Sequence, residues 1–439
     1  MSEHDDGEEP ALVEVPTPRA PRIWRNWRAA RSGAPRLGIT ECSLFSDVWF
    51  VAEAIGYGPY SLLNPVARTT FDGGRYEWKP ALTLRVDQHL TGEHPDMTVT
   101  DAEHYHGGWL EDEVAALVAV IFGARVIAGP VTREFEVHGD PLGRPRTHSA
   151  GRLPVQPPRV QAAQIPTLLG QRDLREIELL STLPDMTVET VTALVKSARS
   201  YQKALWLSDT APELAWLLFV SAIETAASHW DIVELSPVER LELSYPKMVR
   251  RLREKADEKL VADVAAEMRK VIGATSKFRG FCRRFKPHPP ADRPQFGQFD
   301  FDDANYRDAI DKIYDYRSRA LHGGSPFPHP MCMPPMSYSD DGRVEERPTG
   351  LAASSYSATW LAEDLPMYLH TFAYITRGVL LNWWRSLTEP IADGHYPRVM
   401  GSAVSSSQDR TGCDRTPANP ARASDGLSLL TLLDGKLRR

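Results

Sequence analysis

Apolar residues recur at i, i+3/i+4 spacing through most of the second half of the chain. The segment 212–230 (PELAWLLFVSAIETAASHW) begins with Pro at a first-turn position and is apolar nearly all round, which predicts the buried central helix of a bundle. The segment 186–207 is amphipathic and also predicts a helix. Further helices are predicted, in chain order, at 237–253, 258–272, 276–285, 303–321 and 360–384. We therefore expect an all-α bundle over residues 183–390.

The first half has a different pattern, in which short alternating segments surround one helix. Residues 81–86 (ALTLRV) and 133–137 (REFEV) alternate between apolar and polar side chains, which predicts strands. Residues 110–122 (LEDEVAALVAVIF) have acidic residues in the first turn and a broad apolar face, and Gly123 follows as a C-cap, so a helix is predicted. The fold class is therefore α+β, with a small mixed α/β domain at 39–182 followed by the helical domain.

Both ends of the chain lack a periodic core pattern. Residues 1–38 run from an acidic stretch through Pro-rich sequence to the segment 23–28 (IWRNWR), and residues 391–439 are rich in Ser, Arg, Pro and Asp. Both ends are therefore predicted to be disordered. The Trp and Arg side chains of segment 23–28 suit stacking on a nucleic-acid strand. The favoured interpretation is a short amphipathic anchor that packs on the body of the protein or on a partner.

Composition and charge narrow the classes of function. The formal net charge of −7 argues against coating by nucleic acid over the whole surface but leaves room for a local basic face. Four cysteines without a CxxC pair fit a reducing cytosol, and the acidic start of the chain is typical of neither a secretory signal nor a transit peptide. The apolar stretch 372–384 is too short for a membrane span and contains Arg377. We therefore predict a cytoplasmic protein that does not contact a membrane.

No metal or cofactor is predicted. Six residues suggest metal binding by their type, namely Asp101, Glu103, His104, His106, His89 and His94. An H-x-H pair without a third fixed ligand is a weak signal, however, and the following Gly-Gly pair indicates a turn. The chain also has no Walker, Rossmann or nucleophile-elbow pattern. Chemistry that needs neither a metal nor a cofactor is therefore favoured.

The sharpest local signal for chemistry is the segment 316–324, YRSRALHGG. Tyr306, Ile310, Ile313 and Arg317 follow i, i+3/i+4 spacing, so Arg317 lies on a helical stripe that is otherwise apolar. A buried, unpaired guanidinium group is very unfavourable. Arg317 must therefore meet a carboxylate, a ligand phosphate or a wet cleft.

His322 is expected at the end of the same helix, because Gly323 and Gly324 mark a helix terminus. Five residues of straight helix rotate by about 500°, which would put Arg317 and His322 roughly 140° apart. The last residue of a helix can leave helical geometry, and the imidazole ring would then turn toward the Arg317 face. Ser318, four residues before His322, is its neighbour on the helix surface.

An Arg beside a His at the mouth of a helical cleft is the minimum set for metal-independent RNA cleavage. The His accepts the proton of a ribose 2′-OH or gives a proton to the leaving 5′-oxygen, and the Arg holds the phosphate and stabilises charge on its oxygens. Only RNA supplies that internal 2′-OH. The alternative is structural: His322 caps the helix, and Arg317 is neutralised by Glu224.

Further side chains are candidates for supporting the motif. Glu224 lies in the middle of the predicted central helix and needs a partner, which we predict to be Arg317, Arg319 or Lys277, so that Glu224 orients the motif. Arg319 is interpreted as part of a solvated helix face in preference to a phosphate contact. The segment 240–286 is rich in Arg and Lys, and an RNA-binding track and an ordinary salt-bridged surface are equal alternatives for it.

The motif at the end of a helix resembles the R-x4–6-H signature of HEPN domains, and the sequence around it resembles the bacterial Apea-like HEPN group. Three further segments carry the resemblance, which covers about residues 185–388, namely 219–224 (FVSAIE), 274–278 (ATSKF) and the aromatic-rich 365–384. The resemblance implies a helical bundle that dimerises and brings two motifs into one composite cleft. It assigns Arg317 as the family's Arg and His322 as its His. Active members often have Asn, Asp or His after the Arg, whereas this chain has Ser318.

The family also implies a function. Many HEPN proteins are endoribonucleases in toxin or phage-defence systems, and others serve as binding or scaffold modules. The residues and the resemblance together predict a homodimeric, metal-independent endoribonuclease that acts on RNA. The alternative is a non-catalytic HEPN module that binds protein, nucleotide or nucleic acid.

Overall fold

The computed structural model describes residues 20–64, 80–90, 98–138, 140–145, 162–168, 170–230, 236–255, 257–337 and 343–388. Within them the chain forms a mixed structure of helices and antiparallel strands, and this confirms the α+β class. The predicted disorder of residues 1–19 and of the tail 391–439 lies outside the described residues, as do His94 and Gly139.

An antiparallel sheet forms the first layer. Its strands are β1 (Gly38–Ser46), β3 (Ala54–Tyr57), β4 (Tyr60–Leu63), β5 (Pro80–Gln88), β6 (Val126–Phe135) and β7 (Arg144–Pro145), in the spatial order β3-β4-β5-β1-β6-β7. A short parallel pair lies apart from this sheet, formed by β2 (Trp49–Val51) and β8 (Gln171–Asp173). Alternate side chains of β5, such as Leu82 and Leu84, are fully buried, because successive residues of a strand point to opposite faces. The strand predicted at 81–86 is confirmed, whereas the one predicted at 133–137 begins at 126 and ends at 135.

Helix α2 (Leu110–Phe122) lies between β6 and the helical layer, and almost all of its side chains are buried. Its predicted bounds are confirmed, and so is its C-cap, since Gly123 adopts a left-handed conformation with φ of 59°. Arg377 and Arg172 come from distant parts of the chain and donate hydrogen bonds to the last carbonyl groups of the helix. These two side chains therefore tie α2 to the elements around it.

Helix α1 (Arg22–Arg31) corrects the prediction that residues 1–38 are disordered. The side chains of Trp24 and Trp27 are only 5% and 4% exposed, and Trp24 donates a hydrogen bond from Nε1 to the carbonyl of Met186 at 3.0 Å. Buried rings are not available for stacking on a nucleic-acid strand. The other interpretation, an amphipathic anchor packed on the body of the protein, is confirmed.

The second layer is helical. It contains α3 (Val188–Leu207), α4 (Pro212–His229), α5 (Pro237–Ser244), α6 (Pro246–Lys255), α7 (Glu258–Arg284), α8 (Asp303–His322) and α9 (Leu369–Ser386). Helix α4 is central, since it packs against α3, α7, α8 and α9. The ring of Trp216 on α4 is fully buried and stacks between Phe327 and Phe372, with centroid distances of 5.2 and 4.9 Å. The predicted buried central helix is therefore confirmed.

Three predicted helices differ from the observed ones. The segment 237–253 is divided at Pro246, which has no N–H to continue the hydrogen bonding of α5. The segments 258–272 and 276–285 form the single helix α7, because one interior glycine, Gly273, costs only about 1 kcal/mol relative to Ala and does not end a helix. The segment 360–384 is helical only from 369, because its beginning belongs to a hairpin of β9 (Ala352–Ser355) and β10 (Ala358–Leu361).

The sheet and the helices share one hydrophobic core, which extends from Ala20 to Trp384. Residues 39–182 and 183–388 contribute to this core together, so the change of sequence pattern near residue 183 marks a change of layer. A second, smaller core joins α5, α6 and α7 through Leu241, Val249 and Val261. Among the described residues, no helix combines the length and apolar composition needed to cross a bilayer.

Candidate functional site

Two helices bring residues from the predicted site to one place. Glu224 on α4 and Arg317 on α8 are 93 residues apart in sequence, and Arg317 Nη2 lies 2.7 Å from Glu224 Oε2. Their side chains are 21% and 18% exposed, respectively. The prediction that Glu224 pairs with one of the motif's cations is confirmed, with Arg317 as the partner.

The ion pair leaves part of the Arg317 side chain exposed to solvent. Among the described residues, Glu224 is the hydrogen-bond partner of Arg317 Nη2, and the side chain is not fully buried. The ring of Tyr314 lies beneath the group, with 5.6 Å between Arg317 Cζ and the ring centroid. The carboxylate and the ring therefore hold the guanidinium group in place, while the Arg317 side chain as a whole stays partly exposed.

Tyr314 is a member of this cluster that the sequence analysis missed. Burial raises the pKa of its hydroxyl above the ordinary value, the Glu224 carboxylate adds to that rise, and a hydrogen bond with Thr275 and the charge of Arg317 oppose it. Its position three residues before Arg317 is the available signal, because residues i and i+3 share a helix face. An aromatic residue at that spacing is typical of core packing, and Tyr314 is indeed buried.

His322 is the last residue of α8 and its side chain is exposed. The expected helix end at the Gly pair is confirmed, since Gly323 is the C-cap and Gly324 has φ of 65°. His322 keeps helical geometry, however, so about 100° per residue puts it roughly 140° around the helix from Arg317. Within one chain, the side chains of Arg317 and His322 therefore project from different faces of α8. The expected turn of His322 toward the Arg317 face is therefore not observed in the backbone.

Ser318, Lys277 and Arg319 each have a different environment. Ser318 is half-buried one helical turn before His322, which agrees with their expected proximity. Lys277 Nζ lies 3.3 Å from the carbonyl oxygen of Ser228, at the end of α4. Arg319 is exposed, and its Cζ lies 4.7 Å from the centroid of the Tyr316 ring. These contacts do not include the Arg317–Glu224 ion pair.

The residues that suggested a metal site do not form a set of ligands among the described residues. Within the part of the chain that the structure describes, no three His, Cys, Asp or Glu side chains are grouped to hold a metal ion. The His side chains that raised the hypothesis have other contacts: His89 with the Ala34 carbonyl, His104 with Thr192 and His106 with Glu113.

No protein-family model, no curated protein and no solved structure matches this chain. The geometry of the motif and its chemistry therefore carry the functional argument.

Proposed function

We propose that the protein is a metal-independent endoribonuclease of the HEPN type, with Arg317 and His322 as its catalytic residues. The observation that carries the proposal is the state of Arg317. This cation lies on the face of α8 that contains the buried Tyr306, Ile310 and Ile313, yet its guanidinium group is bound by Glu224 and its side chain as a whole is still 21% exposed. A guanidinium group that is held in place on a partly exposed side chain suits a phosphodiester.

The proposed reaction uses the ribose of the substrate as nucleophile. The imidazole of one His322 accepts the 2′-OH proton, and the 2′-oxygen forms a bond to phosphorus. The bond from phosphorus to the 5′-oxygen breaks, and that oxygen takes up a proton from a protonated His322 imidazole, which balances the proton taken from the 2′-OH. The products are a 2′,3′-cyclic phosphate and a 5′-OH. Arg317 stabilises the negative charge that develops on the phosphate oxygens, and Glu224 orients Arg317.

A homodimer fits this chemistry better than a single chain. Arg317 and His322 project from α8 in directions roughly 140° apart, so they do not face one phosphate from the same chain. An Arg317 from one chain and a His322 from its partner can face the same phosphate. The exposed position of His322 at a helix end supports this arrangement. The site would then lie between the two copies of α8.

The experiment is RNA cleavage by the purified protein in EDTA. We expect wild type to cleave, and Arg317→Ala and His322→Ala to reduce the rate at least about 100-fold, since each removes a group that acts in the transition state. A mixture of the two inactive variants regains activity if the site is shared. His138→Ala is the control, because His138 is exposed and follows β6, outside the helix that carries the motif. Equal rates for wild type and all variants would reject the proposal.

A non-catalytic HEPN-like module is the second candidate, and one observation favours it. The 2.7 Å pair between Arg317 and Glu224 neutralises the guanidinium group, and His322 starts from another face. Both residues would then stabilise the bundle and its helix end. In that case wild type binds its partner but does not cleave RNA, and Arg317→Ala changes the stability of the protein alone.

A further inference from the structure

Helices α5, α6 and α7 form a unit with its own small core. Val249 of α6 is 1% exposed and packs with Leu241 and Val261, while Leu252 is partly buried against them. Side chains on the other side of α6 therefore face solvent. Helix α6 has five basic residues and one acidic residue, which gives it a net charge of +4 in a chain of net charge −7.

The basic residues of α6 gather on the side opposite this core. At about 100° per residue, Arg250, Arg251 and Lys255 fall within an arc of about 140° whose centre is opposite Val249 and Leu252. Glu254, the one acidic residue of α6, falls within the same arc, so the three cations keep a local excess of positive charge of two. All three side chains are exposed. We call these three residues the α6 basic face.

Ion pairing separates the α6 basic face from the other cations nearby. Arg253, on the same helix, is bound by Glu242 at 2.9 Å and by Glu258 at 2.8 Å. In the described part of the chain, none of the three residues of the α6 basic face has an ion pair or a hydrogen bond with another residue. The salt-bridged interpretation of the segment 240–286 therefore applies to Arg253, whereas the charge of the α6 basic face is available for a partner.

We infer that the α6 basic face binds the phosphate backbone of an RNA strand. This inference rests on the proposed function, and it adds the surface that would hold the strand outside the cleavage site. A local cationic face attracts a polyanion, and each phosphate that it neutralises releases a counterion. The face consists of charged side chains, since the apolar residues of α6 point inward. A protein interface would instead be expected to present apolar and aromatic anchors at its centre.

The test measures binding separately from cleavage. A labelled single-stranded RNA with 2′-O-methyl groups throughout cannot be cut through its 2′-OH, and its affinity is followed by fluorescence anisotropy at several salt concentrations. The variant Arg250→Gln/Arg251→Gln/Lys255→Gln is expected to bind about 10-fold more weakly than wild type at 150 mM salt. The slope of log affinity against log salt is expected to fall by about 2, since three single-strand phosphate contacts contribute about 0.7 each.

A matched control distinguishes paired from unpaired cations. Arg253→Gln/Arg175→Gln/Arg31→Gln removes three exposed guanidinium groups that have carboxylate partners, and it should bind the RNA within about 2-fold of wild type. Far-UV circular dichroism and melting temperature show that each variant is folded.

Three results would overturn the inference. The first is an RNA affinity of the triple variant equal to that of wild type. The second is a loss of RNA affinity in the control variant as large as in the triple variant. The third is wild type that binds no RNA but captures a poly-glutamate peptide, which would assign the face to an acidic protein. Failure of the nuclease proposal is distinguishable from failure of this inference. If wild type binds the methylated RNA through the α6 basic face but cuts no unmodified RNA, the nuclease proposal is rejected and the inference about binding is retained.

Discussion

At the scale of single residues, the sequence identified Arg317 because its cation interrupts an apolar stripe. The same reasoning gave Glu224 as a partner, and the structure joins the two at 2.7 Å. It did not identify Tyr314, because an aromatic residue at that spacing is typical of a core. The reasoning from the sequence also missed the contact of Lys277 with the Ser228 carbonyl, because that contact depends on how two helices pack. Local patterns therefore showed which charges need a partner, whereas the choice of partner came from packing.

The Arg317–Glu224 pair predicts an effect on stability. Glu224→Gln removes the carboxylate charge and leaves a partly buried guanidinium group without a counter-charge, so we expect a loss of about 1–3 kcal/mol in the free energy of unfolding. Urea denaturation measures this loss. Glu178→Gln is the control, because Glu178 is exposed, and it should change stability by less than about 0.5 kcal/mol. Equal effects of the two substitutions would contradict the structural role of Glu224.

At the scale of elements, periodicity predicted the interior of each helix better than its ends. The bounds of α2 were predicted correctly because acidic residues and Gly123 mark both ends. The split at Pro246 was missed because the apolar spacing continues across it. Helix α1 was missed because a ten-residue helix is marginally stable by itself, and its order comes from packing on the body of the protein.

The order of α1 can be tested through its tryptophans. Trp24 is buried against the core and hydrogen-bonded to Met186, so Trp24→Ala should destabilise the protein by about 3–5 kcal/mol. Trp49 is 68% exposed, and Trp49→Ala should cost less than about 0.5 kcal/mol. Chemical denaturation of the two variants beside wild type measures the difference. A small effect of Trp24→Ala would mean that α1 does not contribute to the core.

At the scale of the whole molecule, the sequence predicted the α+β class and two domains with a boundary near residue 183. The described residues contain a main core that both halves share, beside the small core of α5, α6 and α7. A change from alternating to helical spacing shows which elements form, but not which of them pack together. Polar groups outside the candidate site are also buried, among them the imidazole of His370.

His370 predicts how stability depends on pH. Burial lowers the pKa of its imidazole below the ordinary 6.5, although the Glu345 carbonyl and the Glu346 carboxylate oppose this shift. Above about pH 6.5, the ring is neutral in both the folded and the unfolded chain. Below that pH the unfolded chain takes up a proton more readily than the folded chain, so this contribution to stability is lost as the pH falls. Urea midpoints between pH 7.5 and 5.5 should therefore fall more for wild type than for His370→Gln, and equal slopes would contradict the account.

The chemistry of the RNA ends tests the central claim most directly. Purified wild type is incubated with an end-labelled RNA in EDTA, and the new termini of the fragments are identified by mass spectrometry. Cleavage through the ribose 2′-OH, with Arg317 and His322 as catalysts, predicts fragments that end in a 2′,3′-cyclic phosphate and a 5′-OH, and none of them with His322→Ala. Fragments with a 5′-phosphate, cleavage that stops in EDTA, or the same fragments from His322→Ala would contradict it.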